Sequence, residues 1–173
     1  MKRFAQLSAA ATLLAAAAGT MQAQATAVAF VSVNAIVSSS LAASTVNSLS
    51  FGTVVQGSAA TTIDPNTNAA GEVSISGTNS QGISITMTTL PATLVNGAAT
   101  LGVSGYKYCY TTSTALQASC TPTATTTGGS VTGLNLSTGG QGFLYLGATL
   151  AAPSVSQTTG TYTANMTITI TSP

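Results

Sequence analysis

Few residues in this chain are able to do acid–base, nucleophilic or metal chemistry. The sequence holds three Lys+Arg, two Asp+Glu and no His. Asp64 and Glu72 are the carboxylates, so a glycosidase would have to work with this pair as its acid and its base or nucleophile. Ser and Thr are abundant, but nothing is arranged to activate a hydroxyl, because there is no His and no suitable Lys pattern. Asp64-Pro65-Asn66-Thr67-Asn68 offers oxygen ligands of the kind calcium takes. It brings a single carboxylate, and Asp, Asn and Pro together are ordinary turn chemistry. Most enzymes need clustered groups that titrate or ligate, and this chain hardly assembles one. The expectation is a protein that is not an enzyme, with no catalytic residue, no metal and no cofactor. Without a basic patch, nucleic-acid binding lacks its electrostatic term.

Two further constellations carry chemistry of a different kind. Cys109 and Cys120 in an exported chain predict a disulfide, since a metal site would lack His and nearby carboxylates. Tyr106, Tyr108 and Tyr110 alternate with Lys107 and Cys109, which puts the three tyrosines on one face of a strand. That row is open to two readings. It is either an amphipathic contact surface for a sugar, a host protein or another subunit, or a set of rings packed in or beside the fold with hydroxyls reaching water.

The N-terminus reads as a secretory signal. Lys2-Arg3 precede an apolar stretch from Phe4 to Ala18, and Ala23-Gln24-Ala25 supplies the small-x-small cleavage pattern. Residues 1–25 are the expected signal peptide, leaving Thr26 first, with cleavage after Ala23 as the near alternative. The apolar stretch is short of the ~20 residues that span a bilayer, and no second long run follows, so no transmembrane segment is expected in the mature chain. The exported product keeps Lys107 against Asp64 and Glu72, a net charge of −1. With 45% hydrophobic residues and a mean hydropathy of +0.44 over the full sequence, the chain is the opposite of a disordered, highly charged one. Little electrostatic repulsion keeps copies apart, which favours self-association.

The elements that must position these residues read as strands. Tyr162, Ala164, Met166, Ile168 and Ile170 alternate with Thr and Asn and predict a half-buried final strand with a Thr-covered outer face. Val73 and Ile75, then Ile83, Ile85 and Met87, repeat the pattern, and Leu144 to Leu150 reads as another strand. Asn79-Ser80-Gln81-Gly82, Pro91, Asn96-Gly97, Gly128-Gly129 and Gly139-Gly140 punctuate the runs. No segment after the leader has a convincing capped helix. Short strands at this spacing predict an all-β, antiparallel sandwich spanning 41–173, one domain with its own core.

Residues 26–40 form a separate extension. Ala27, Ala29, Val31, Val33, Ala35 and Val37 lie on one face of a predicted strand, with Val28, Phe30, Ser32, Asn34 and Ile36 on the other, and Ser38-Ser39-Ser40 follow. Burying about five of these apolar side chains gives on the order of 10 kcal/mol before entropy costs. The gain is the same whether the strand enters its own sandwich or a neighbour's.

Several segments then stand in a familiar order: Leu49-Ser50-Phe51-Gly52-Thr53-Val54-Val55, Leu90-Pro91-Ala92-Thr93-Leu94, Tyr145-Leu146-Gly147-Ala148-Thr149-Leu150 and Gly160-Thr161-Tyr162-Thr163. From about Leu49 to Ile170 the chain resembles the secreted bacterial domain-of-unknown-function family 4402. More distantly it is similar to spore-coat-U-type and archaic chaperone–usher fimbrial subunits. The resemblance implies an immunoglobulin-like β-sandwich at a bacterial cell surface or in a fimbrium-like fibre. In fimbrial subunits the sandwich lacks a strand, and the N-terminal extension of the next subunit fills the groove; the matching element here is Ala27 to Val37. It further implies copies of the same chain as partners, together with a periplasmic chaperone and an outer-membrane assembly protein. The function expected is that of a structural subunit polymerising by β-strand addition. The alternative is a monomeric surface adhesin whose N-terminal strand folds back and whose tyrosine row makes the contact.

Overall fold

A computed structural model describes residues 40–173; the leader and the segment carrying Ala27 to Val37 lie outside the described residues. Ten strands follow in order: β1 Ala42–Asn47, β2 Thr61–Ile63, β3 Gly71–Ser76, β4 Gly82–Thr89, β5 Thr93–Asn96, β6 Ala99–Thr111, β7 Thr123–Ala124, β8 Ser130–Asn135, β9 Gln141–Leu150 and β10 Thr167–Thr171. One short 3-10 helix, Thr114–Ser119, sits between β6 and β7. The fold is all-β, as the alternation predicts. No helix among the described residues is long and apolar enough to cross a membrane.

All strand pairs are antiparallel and fall into two sheets. The larger runs β1-β3-β9-β6-β5, with β2 also on β9 and β7 also on β6; the smaller is β10-β4-β8. Their inner faces share one core. Ile75 from β3, Ile83, Ile85 and Met87 from β4, Val103 and Tyr106 from β6, and Leu144, Leu146 and Leu150 from β9 are all buried in it. Every second residue of β4 and β9 points inward, so the period of two in the sequence becomes one wall of the core on each side.

Three local features depart from the simple alternation. The final strand is shorter than predicted: β10 begins at Thr167, and the preceding residues are irregular apart from a bridge between Thr163 and Val95. β1, Ala-Ala-Ser-Thr-Val-Asn, has no apolar alternation at all, yet pairs with β3 along its length. Inside β6, Gly105 takes φ +60° where the register against β9 shifts between Ser104 and Lys107. A one-residue bulge exchanges the faces of everything after it. Gly105 therefore lets Leu101 and Val103 before it, and Tyr106, Tyr108 and Tyr110 after it, all turn toward the core.

The outer face of the larger sheet is covered rather than bare. Ala70, Cys109 and Tyr145 are buried there, with Ile63, Cys120 and Phe143 around them. The 3-10 helix is tied to the β2–β3 loop by the Gln117 side-chain amide, which donates to the carbonyls of Pro65 (3.2 Å) and Thr67 (2.8 Å). Cys109 and Cys120 are joined in a disulfide that fastens the end of this helix to β6, as the two-cysteine count predicts.

Candidate functional site

β1 is the last strand of one sheet and β10 the last strand of the other, on the same flank of the molecule. β1 begins level with the end of β3 and β10 ends level with the start of β4, at Ala42↔Ser76 and Thr171↔Ser84, so the two run in opposite directions. Among the described residues no hydrogen bond links them. Among the described residues each therefore has one edge with no strand paired to it, the kind of template onto which a further strand adds.

Between them lies a cleft of about 450 Å³. Leu49, Val73, Leu146, Met166, Ile168 and Ile170 supply its apolar lining, and Ser44, Asn47, Glu72 and Asn165 its polar lining. Ile168 and Ile170 point inward but stay only half-buried, whereas Ile83 and Ile85 on the neighbouring β4 are 1% and 0% exposed. All six residues of β1 are exposed. An inward-facing isoleucine left partly exposed forgoes part of the ~1.5–3 kcal/mol its full burial gives. Among the described residues the core on this flank is therefore left partly open.

The opposite flank is closed by the chain itself. After β7 pairs with β6, residues 125–129 cross to the smaller sheet, where Met87 N–H donates to the Gly129 carbonyl (2.9 Å) and Gly128 N–H to the Met87 carbonyl (2.7 Å). The Tyr110 hydroxyl donates to the Asn135 carbonyl of β8 at 2.9 Å, a direct tie between the sheets. The Tyr106 hydroxyl donates to the Pro91 carbonyl at 2.7 Å.

Of the two readings of the tyrosine row, this placement matches the one in which the rings pack beside the fold. Tyr106, Tyr108 and Tyr110 do share a face, but it is the inner one: Tyr106 is 8% exposed, and Tyr108 and Tyr110 are half-buried against the core. Burial pushes the Tyr106 and Tyr110 hydroxyls above the usual phenol range.

The carboxylates do not meet as a pair. Asp64 accepts from Lys107 Nζ at 2.8 Å, a half-exposed ion pair, and Glu72 accepts from the Asn47 side-chain amide at 3.1 Å. Glu72 also stands opposite Tyr145 in the β3–β9 register. Burial first, and the Glu72 charge second, push the Tyr145 hydroxyl up. Among the described residues no three His, Cys, Asp or Glu side chains come together.

The donor residues Ala27, Ala29, Val31, Val33, Ala35 and Val37 lie outside the described residues, while the cleft residues are ones the sequence reading did not single out as a site. Ile168 and Ile170 carried the signal of an inward face. Nothing in their spacing tells whether that face meets a neighbouring strand or a gap. No family model, no curated protein and no solved structure matches this chain.

Proposed function

We propose that this protein is the structural subunit of an extracellular, pilus-like fibre or surface layer, and that copies assemble by β-strand addition. The strand Ala27 to Val37 of one copy enters the cleft between β1 and β10 of another. One observation carries the reading: among the described residues, two strand edges without a partner strand flank a cleft that carries a row of apolar side chains. A strand laid there gains main-chain hydrogen bonds from a free edge, and alternate side chains meet the apolar row. Val31, Val33 and Ala35 are of the small, β-branched or short type that such a row accepts, and their face is continuous with Ala27, Ala29 and Val37. Burial of these side chains is worth on the order of 10 kcal/mol before the cost of ordering the segment.

The reading takes with it the other expectations from the resemblance: an immunoglobulin-like strand arrangement, export by the 1–25 signal peptide, a place on a bacterial surface, and help from a chaperone and an outer-membrane assembly protein. The monomeric adhesin is the weaker alternative, because the tyrosines that would make its contact face the core.

The test is unboiled SDS gel electrophoresis and negative-stain microscopy of protein beginning at Thr26. A ladder and thin fibres that vanish on deleting residues 27–37, with binding of a synthetic 27–37 peptide to the deleted protein, is the expected result. A single monomer band whose fold collapses on the deletion and is not rescued by peptide would sink the proposal in favour of a strand that completes its own domain.

A further inference from the structure

The closed flank carries two adjoining cavities. The larger, about 510 Å³, lies among the end of β6, the 3-10 helix, the start of β7 and β8. The smaller, about 280 Å³, lies between β6, the crossing segment with Thr125 and Thr126, and the start of β8. Tyr108 and Val131 line both, and no residue lining either one lines the cleft between β1 and β10. The larger alone falls within the ~300–1,000 Å³ of sites that hold a small organic ligand.

The lining has a definite chemistry. It holds no charged side chain, since Lys107 turns to the other face of β6 and pairs with Asp64. A charged ligand would shed water here and meet no counter-ion. The apolar part is the Tyr108 ring with Val131, Leu134 and Leu116, the last of these 47% exposed. The polar part is hydroxyl: Thr112, Thr121 and Thr123 in the larger cavity, Thr125 and Thr126 in the smaller. A hydroxyl both donates and accepts, so this set suits a ligand whose own rim is hydroxyl.

Tyr108 stands apart within its row. Tyr106 and Tyr110 give their hydroxyl protons to the carbonyls of Pro91 and Asn135. Among the described residues the Tyr108 hydroxyl makes no hydrogen bond, and it is not among the buried polar atoms without a partner, so it is open to water. The walls around it are fixed. The disulfide and Gln117 hold the helix, Thr125 N–H donates to the Tyr106 carbonyl at 2.9 Å, and the Thr127 hydroxyl donates to the Leu90 carbonyl at 3.3 Å. Walls held in place before a ligand arrives lower the ordering cost of binding.

We infer that these cavities, centred on Tyr108, are a binding site for an uncharged sugar ring. Such a ring has an apolar C–H face, which suits the Tyr108 ring and Val131, and a rim of hydroxyls, which suits the Tyr108 hydroxyl and the threonines. An extended peptide is the competing occupant. It is recognised chiefly by backbone pairing along a bare strand edge, and β7 already occupies the edge of β6 beside Tyr108. The site shares nothing with the strand-accepting cleft, so every copy would present one whether assembled or alone.

Saturation-transfer difference NMR on the Thr26-onward protein tests it. The probes are the methyl glycosides of glucose, galactose, mannose, N-acetylglucosamine and fucose, with sialic acid as the charged control. An uncharged, acetylated peptide of alternating threonine and valine is run alongside. At least one glycoside should receive saturation on its ring C–H protons, and sialic acid none. Tyr108→Ala should weaken that binding about tenfold. Tyr108→Phe keeps the ring and should weaken it only about two- to fivefold, at an unchanged urea midpoint. Thr132→Ala, exposed on β8 but lining neither cavity, should bind as the parent does. The site is overturned by no transfer to any glycoside, by equal transfer to sialic acid, by binding indifferent to both Tyr108 variants, or by the peptide binding in place of every sugar. Strand donation is read by fibre growth instead, so the two stand or fall separately.

Discussion

The two flanks of this sandwich are built from the same material and end differently. On the flank of β6, β7 and β8 the chain crosses between the sheets, Tyr110 ties β6 to the Asn135 carbonyl, and nearby the Cys109–Cys120 disulfide locks the 3-10 helix to β6. On the flank of β1 and β10 no hydrogen bond joins the sheets among the described residues, and inward-facing Ile168 and Ile170 remain partly exposed. The difference, among the described residues, lies in pairing: the second flank keeps two strand edges able to pair beside partly exposed apolar side chains of the cleft. A flank sealed by covalent and crossing connections supports a flank left open.

Breaking that comparison starts in the shared core. Ile85→Ala, fully buried between the sheets, should cost about 2–5 kcal/mol in urea unfolding monitored by far-UV circular dichroism. Ile168→Ala in the open cleft should cost well under that in protein lacking residues 27–37, because the side chain is only half-buried. Its larger effect should appear as weakened binding of the 27–37 peptide. Equal losses at Ile85 and Ile168 in the deleted protein would mean that the cleft is closed in solution.

Next in size is the sealed flank. Replacing both Cys109 and Cys120 by Ala should cost about 2–3 kcal/mol by loop-closure entropy across a separation of 11 residues. A smaller loss would mean that Gln117 and the buried Ala70–Tyr145 cluster hold the helix without the bond. Tyr110→Phe removes the tie to Asn135 and should cost about 1 kcal/mol. Smallest is the Lys107–Asp64 pair. Both side chains are about two-fifths exposed, so Asp64→Asn should change stability by less than about 1 kcal/mol, and less still in high salt.

pH sharpens the same contrast. Tyr106, Tyr110 and Tyr145 all hold their protons more tightly folded than unfolded. A raised folded value means that stability is full below the ordinary value of 10.0 and falls as pH rises beyond it. Urea midpoints measured from neutral pH to strongly alkaline should decline only above about pH 10, and Tyr145→Phe should flatten the decline. A decline that begins well below that range would point to some other group.

Much of the fold was legible because its signals are local. Val73 and Ile75, Ile83 to Met87 and Leu144 to Leu150 became the core-facing rows of β3, β4 and β9, and Asn96-Gly97 became the β5–β6 turn. β1 was not legible, since Ala42 to Asn47 carries no alternation; it is a strand only because β3 offers it an edge. The tyrosine row was half legible. Its shared face follows from period two, but which face depends on the bulge at Gly105, and that is set by pairing with β9.

By itself, the sequence determined the all-β class, the disulfide and the near-absence of titrating groups. Side-chain period, cysteine count and charge are properties a chain carries before it folds. Only the tertiary structure decided that β1 and β10 are the edge strands beside one cleft, that the tyrosines face inward, and that Asp64 and Glu72 are engaged apart, with Lys107 and Asn47. Those outcomes depend on which edges pair across long stretches of chain, and a strand's own residues do not encode the neighbour it will find.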